Sequence, residues 1–188
     1  MKTLYFITSN KGKLKEAKQS FSDLGIKIVQ KNLGYPEIQA DTLEEVAIFG
    51  ANHLKNTLNQ PYILEDAGLF IDTFAGFPGV YSAYVFYMIG LKGILKLMED
   101  FEENKRTAIF KSVYAYCEPG QKPEIFLGKC KGKISKKITG ENGFGYDPIF
   151  IPEKNTKTFA EMEINEKNGY SHRGKSLQKL KDFLKNRK

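Results

Sequence analysis

The first 65 residues alternate short apolar runs with longer segments of helical period, and this alternation constrains the fold more than any other feature. Leu4-Tyr5-Phe6-Ile7 is an apolar run that reads as a buried strand. It leads into Thr8-Ser9-Asn10, residues that cap helices, and a Lys/Glu-rich helix is predicted to about Leu24, ended by Gly25. Ile26, Ile28 and Val29 mark a second strand. Asp41 or Thr42 caps a second helix from about Leu43 to Leu58, in which Leu43, Val46, Ala47, Gly50, Leu54 and Leu58 recur at helical spacing. Pro61 then leads into a third strand, Tyr62-Ile63-Leu64-Glu65. The order strand, helix, strand, helix, strand predicts an α/β layer with some parallel pairing.

The second half changes character. A helix is predicted through Gly90–Met98, and then Ala108–Tyr116, Ile125–Leu127, Cys130–Ile134 and Ile149–Ile151 read as extended, with a turn at Pro119-Gly120. Ser176–Lys188 reads as a closing amphipathic helix with Leu177, Leu180 and Leu184 as its apolar stripe. With no repeat, low-complexity run or linker, the 188 residues are expected to form a single mixed α/β unit with two lobes and a cleft between them.

Composition narrows the function classes. Hydrophobic residues make up 41% of the chain, enough for a sizeable core and too many for a disordered chain. No run approaches the ~20 consecutive apolar residues of a membrane span, and the apolar run at the N-terminus is too short for a signal peptide. A cytoplasmic protein is the expectation. Cys117 and Cys130 are the only cysteines, without CxxC spacing, and read as reduced thiols near strands. Lys plus Arg number 29 against 22 Asp plus Glu, a net charge of +7 that favours anionic partners.

Five segments could carry chemistry. Thr8-Ser9-Asn10-Lys11-Gly12-Lys13 sits between a strand and a helix, where free backbone N–H groups bind anions and Lys13 adds a mobile charge; such a sequence is also an ordinary helix cap. Glu65-Asp66-Ala67-Gly68 follows the third strand, and carboxylates beyond strand ends are placed to hold a metal, with loop residue Glu37 available to join; Asp and Gly also simply make turns. Gly76-Phe77-Pro78-Gly79-Val80-Tyr81-Ser82 reads as a fixed turn. Gly143-Phe144-Gly145-Tyr146-Asp147-Pro148 frees a phenyl ring to stack on a base, or forms a hydrophobic turn. Glu166–Arg173 clusters side-chain donors before a helix, to grip phosphate or base edges or to face solvent. Gly169–Ser176 fits GxxxxGK[ST] letter for letter, yet no apolar strand precedes it and only residues 177–188 follow, so it is a chance match rather than a P-loop.

Together these segments resemble the inosine triphosphate pyrophosphatase family, over essentially the whole chain from Thr8 to Arg173. The matching pieces, in order, are Thr8-Ser9-Asn10 with Lys13 and Glu16, Tyr35-Pro36-Glu37-Ile38-Gln39, Glu65-Asp66-x-Gly68, Gly76-x-Pro78-Gly79-x-Tyr81-Ser82, Phe144–Pro148, Thr158–Met162, and Glu166-Lys167-Asn168-x-x-Ser171-His172-Arg173. The resemblance implies a Mg²⁺-dependent hydrolase that cleaves non-standard purine nucleoside triphosphates (ITP, dITP, XTP) to monophosphate and pyrophosphate. It implies an elongated mixed-sheet α/β fold with two lobes around a central active-site cleft, and a homodimer; no nucleic-acid or membrane partner is expected.

For individual residues, the resemblance implies a phosphate grip at Thr8, Ser9, Asn10, Lys11, Gly12 and Lys13. Asp66 would be catalytic and a metal ligand, with Glu37 the second acidic ligand. Base and substrate contacts fall to Phe144, Gly145, Tyr146, Asp147, Lys167, His172 and Arg173. Many relatives carry Ser where this chain has Ala67, which puts a substrate or backbone hydrogen bond there in question. Asp66 either deprotonates the attacking water or binds the metal that does so. The rivals are a nucleotide hydrolase for other modified or standard (d)NTPs, and a basic nucleic-acid-binding module; the module leaves Glu37 and Asp66 unexplained.

Overall fold

The structure, a computed structural model, describes residues 2–36 and 38–187. Its frame is one six-stranded sheet with strand order β2-β1-β3-β4-β5-β6. β1 (Lys2–Ile7), β2 (Ile26–Lys31) and β3 (Tyr62–Ile71) are parallel; β4 (Thr107–Cys117), β5 (Glu124–Ile134) and β6 (Phe150–Pro152) continue the sheet antiparallel. Five α-helices accompany it among the described residues: α1 (Lys11–Ser20), α2 (Leu43–Leu54), α3 (Ser82–Leu97), α4 (Ile164–Tyr170) and α5 (His172–Asn186).

The first half follows local signals. Asn10 caps α1 by accepting from Lys13 N, and Thr42 caps α2 in a capping box with Glu45. α1 ends at Ser20 and a separate 3₁₀ turn, Ser22–Leu24, completes the segment read as one helix; α2 stops at Leu54, short of Leu58.

Three expectations about strands and helices are corrected. β3 does not end at Glu65. It runs on to Ile71 because β4 pairs with it along its whole length, from Tyr62↔Cys117 to Ile71↔Ala108. β1 pairs with β3 only as far as Ile7↔Leu64, so Glu65, Asp66, Ala67 and Gly68 still lie beyond the end of the parallel sheet. The separate strands at 125–127 and 130–134 are one strand, β5. Gly128 lies inside it because α5 presses on the sheet there: a Cβ at Gly128 would come 2.0 Å from His172 O. The helix read at 90–98 begins at Ser82 and is broken at Gly90, whose backbone is non-helical (φ 62°, ψ −166°).

Two hydrophobic clusters cover opposite faces of the parallel end. Leu43, Ala47, Ala51 and Leu54 of α2 pack on Tyr62, Leu64, Val113 and Ala115, while Leu177 and Leu180 of α5 and Ala17 of α1 pack on Phe6, Ile63 and Tyr114. A third cluster fills the antiparallel end, where Val85, Ile94 and Met98 meet Leu69, Ile71, Phe110 and Phe150. The stretch Gly79–Leu97, 19 residues, has the length and apolarity of a membrane-crossing helix, which no run of consecutive apolar residues disclosed; only 17% of it is buried.

Candidate active site

A cleft of about 260 Å³ opens where the clusters meet. The start of α1 lines it with Asn10 and Lys13, β3 with Ala67 and Gly68, and α3 with Ser82, Ala83, Phe86 and Tyr87. Phe110 of β4, the loop Phe144–Asp147, and His172 and Arg173 at the start of α5 complete the wall. Three helix N-termini therefore face one cavity, an arrangement whose backbone N–H groups and dipoles favour an anion.

Strand parity sorts the two acidic residues. Successive side chains on β3 point to opposite faces. Glu65 lies with Ile63 on the α5 face, fully buried, while Asp66 lies with Tyr62 and Leu64 on the α2 face, half-buried. The Tyr35 hydroxyl stands 3.3 Å from Asp66 Oδ2. Asp66 is thus beside the cleft-lining Ala67 without being buried in the cleft itself. Glu37 lies outside the described residues.

On the α5 face six charged groups alternate in sign: Asp147, Lys167, Glu16, Arg173, Glu65 and Lys13. Lys167 Nζ lies 2.6 Å from Asp147 Oδ2 and 2.7 Å from Glu16 Oε1. Arg173 Nη1 lies 2.7 Å from Glu16 Oε2, and its Nε 3.0 Å from Glu65 Oε1. Lys13 Nζ lies 2.7 Å from Glu65 Oε2, an ion pair by distance that is not aligned as a hydrogen bond, and donates to Glu65 O at 2.9 Å. Burial alone would raise the Glu65 carboxyl, but Arg173 and Lys13 outweigh it and hold it at about 2. Burial is likewise overcome at Glu16 by Arg173 and Lys167, and its pKa is lowered.

The imidazole of His172 stacks on Phe110, centroids 4.4 Å apart and planes 12° from parallel. Burial and then the charge of Arg173 keep its pKa well below the usual 6.5, so it is neutral, one nitrogen donating and the other accepting. Its Nδ1 is buried with no hydrogen-bond partner among the described residues. Phe144 is half-buried, its ring about 5 Å from both Lys167 Nζ (5.0 Å) and Arg173 Cζ (5.1 Å). It also packs on Gly12, where an added Cβ would come 2.5 Å from the ring. The ring is therefore seated in the wall rather than standing free of the backbone. Phe144 N donates to Asp147 Oδ2 at 2.8 Å, which fixes the loop.

The expected site residues thus divide. Asn10, Lys13, Ala67, Phe144, Gly145, Tyr146, Asp147, His172 and Arg173 are assembled around the cleft, with Thr8 accepting from Asn10 N and Gly12 packed beneath Phe144. Lys167 stands behind the wall, its ammonium taken by two carboxylates, and Ser9 and Lys11 are exposed near the helix start. The donors at 166–173 are not a loop before a helix. They end α4 and begin α5, with Ser171 capping α5 by accepting from Gly174 N. Gly169–Ser176 spans that helix junction, so no strand enters it and it is no P-loop. Glu16, Glu65, Ser112 and Ser176 were absent from the expected site set; Ser112 Oγ donates to Glu65 Oε1 at 2.7 Å and lies 3.0 Å from Ser176 Oγ. The available signal for Glu16 was its place beside Ala17 on the helix face that Leu14, Ala17 and Phe21 bury.

No group of three His, Cys, Asp or Glu side chains able to hold a metal occurs among the described residues. A magnesium ion does not require one. It takes one or two carboxylates and completes its shell with water and substrate phosphate, and a half-exposed Asp66 beside the cleft fits that donor set.

Comparisons with known proteins identify relatives of this chain. A family model described as Ham1 family matches residues 4–183. The chain is 52% identical over 186 residues to a dITP/XTP pyrophosphatase from Methanopyrus kandleri, covering 99% of this chain and 97% of the relative. It is 53% identical over 182 residues to one from Pyrococcus horikoshii, covering 97% and 96%. Among solved structures, a HAM1 protein from Coxiella burnetii superposes with a TM-score of 0.86 at 31% identity, covering 99% of this chain and 100% of that one. The Staphylococcus aureus Ham1 protein gives 0.84 at 29%, with both chains covered completely.

Proposed function

The chain belongs to the Ham1 family, and on that premise we propose that it hydrolyses non-standard purine nucleoside triphosphates, dITP, ITP and XTP, to the monophosphate and pyrophosphate. The observation that carries this reading is a single cleft joining a cationic, helix-terminus end to a wall that offers both donors and an acceptor to a base edge. Lys13 and the backbone at Thr8–Gly12 take the polyphosphate. The neutral His172 and Arg173 read the base, with Phe144, Gly145, Tyr146 and Asp147 framing it and Lys167 holding Asp147 from behind.

Hypoxanthine and xanthine present an oxygen at position 6 beside a ring N–H, a pattern complementary to one donor and one acceptor. Adenine presents the reverse. Arg173 can only donate, and a buried donor facing the adenine amino group would be left opposed. Sites built on such bonds reject the wrong edge by factors of up to ~10⁴.

Hydrolysis proceeds by in-line attack of water on the α-phosphorus, with pyrophosphate leaving. Asp66 orients the water and accepts its proton, and Lys13 offsets charge on the departing pyrophosphate. Asp66 and Glu37 would hold a divalent cation, Mg²⁺ in this proposal, which when bound neutralises phosphate oxygens and the leaving group. Tyr35, two residues before Glu37 in the sequence, touches Asp66, and this supports Glu37 as partner.

The chain acts as one two-lobed domain and as a homodimer that covers α3, whose Tyr84 (66% exposed) and Met88 (64%) lie bare. Buried, unpaired Cys117 and Cys130 suit a cytoplasmic setting. The test is a substrate panel with product analysis. ITP, dITP and XTP should yield monophosphate and pyrophosphate with kcat/KM at least ~10²-fold above ATP, and Asp66→Asn should abolish turnover in a folded protein. Orthophosphate release, or equal kcat/KM for ATP and ITP, would refute the reading.

A further inference from the structure

Lys13 on α1 and Arg173 on α5 both line the cleft, and both are bound to one carboxylate. Glu65 gives Oε2 to Lys13 at 2.7 Å and Oε1 to Arg173 Nε at 3.0 Å. Its side chain is fully buried, whereas that of Lys13 keeps 20% of its exposure and can be reached from the cleft. Lys13 has three N–H groups; one donates to the Glu65 carbonyl, and the ammonium lies 2.7 Å from Glu65 Oε2 as an ion pair. The same carboxylate receives Ser112 Oγ at 2.7 Å, and Ser112 lies 3.0 Å from Ser176 Oγ one turn into α5. Glu65 therefore fixes the start of α5 as well as the guanidinium.

We propose that Glu65 is a positioning residue shared by the two ends of the nucleotide: it competes with the polyphosphate for Lys13 and orients Arg173 toward the base. This rests on the reading of Lys13 as a phosphate ligand and Arg173 as a base reader. A phosphate that engages Lys13 must displace the ion pair with Glu65, so the lysine gives less net affinity than a free ammonium would. The polyphosphate that draws Lys13 away leaves the carboxylate to Arg173 and Ser112. Phosphate engagement and base reading then act through one side chain.

The discriminating variant is Glu65→Gln, which keeps the shape and removes the charge. Inorganic pyrophosphate, measured by calorimetry with Mg²⁺ held constant, should bind about fivefold more tightly, because Lys13 is released. The ITP over ATP ratio of kcat/KM should fall about tenfold, the worth of one charged hydrogen bond. A merely structural loss would weaken both. Pyrophosphate binding that is unchanged or weaker in a folded Glu65→Gln protein overturns the competition, and an unchanged ITP/ATP ratio overturns the orienting role.

Ser112→Ala decides the orienting role if Glu65→Gln does not fold. It removes a bond to Oε1 and leaves the charge, so the ratio should fall about threefold while pyrophosphate affinity stays as in the wild type. An unaltered ratio there overturns the proposal. A wild type without preference for ITP would instead refute the substrate reading; the pyrophosphate measurement, which involves no base, still judges the link between Glu65 and Lys13.

Discussion

α3 and α5 flank the same cleft and invert the usual relation between composition and burial. α3, SAYVFYMIGLKGILKL, is the apolar one, yet Tyr84, Tyr87, Met88, Ile89 and Leu97 are exposed. α5, HRGKSLQKLKDFLKN, is strongly polar, yet His172, Arg173, Ser176 and Lys181 are buried along with Leu177 and Leu180. The difference teaches that burial at this cleft is decided by complementarity. α5 carries cations to a sheet face where Glu65 and, from α1, Glu16 await them. α3 carries apolar surface that no segment among the described residues covers.

The comparison is broken most directly at Arg173. Arg173→Met leaves Glu16 and Glu65 with one cation fewer inside the protein, and denaturant unfolding should report a loss of about 3–5 kcal/mol. A loss below about 1 kcal/mol would mean that the α5 charges are not holding the fold. Acidification probes the same network. The carboxyls of Glu65 and Glu16 are depressed below their usual 4.5, so their stabilisation is complete above that pH and is lost as pH falls through their folded values, about 2 for Glu65. His172, depressed below 6.5, adds a decline that begins earlier, because below 6.5 the unfolded chain takes up a proton the folded one refuses. Glu65 alone should contribute about 3 kcal/mol between pH 4.5 and 2, and melts of Glu65→Gln should lack that part of the acid limb.

A smaller effect is expected at the α1 side of the wall. Gly12→Ala forces the Phe144 ring to yield, so kcat/KM for ITP should drop while stability changes by about 1 kcal/mol or less. Steady-state kinetics beside a thermal melt separate the two. The smallest change in intrinsic stability belongs to α3. Tyr84→Lys with Met88→Lys should shift the protein to monomer in sedimentation velocity and alter monomer unfolding by no more than about 0.5 kcal/mol. A pair of lysines that destabilises the monomer as much as Arg173→Met does would erase the contrast between the helices.

How much of this was legible from sequence depends on distance along the chain. Thr42 and Asn10 could be recognised as caps because their partners, Glu45 and Lys13, are three residues away. The cleft's general residue set could be recognised from motifs in order. The burial of Lys167 and Arg173 could not, because each pairs with Glu16, which is 151 and 157 residues distant respectively. Lys167 reads as a contact for the base, and nothing in the sequence shows that its ammonium lies between Asp147 and Glu16. Gly128 falls in the gap between the predicted strands 125–127 and 130–134, and only the approach of α5 explains it as the interior of one strand. Glu65 and Asp66 looked like neighbours in one acidic turn, because the pairing that keeps β3 extended comes from β4, more than forty residues later.

That extension gives the two carboxylates a parity. They are adjacent in sequence and assigned to opposite sides of the sheet, so the site tolerates length changes between Tyr62 and Glu65 only in twos. Losing a single residue there would exchange the sides, turning the position of Asp66 toward the α5 cations and that of Glu65 toward Tyr35. Inherited variation at this point is therefore expected to be substitution rather than insertion or deletion. A homologue with one residue more or fewer between the start of β3 and its acidic pair would have to restore the phase with a bulge before it could bind a nucleotide in the same way.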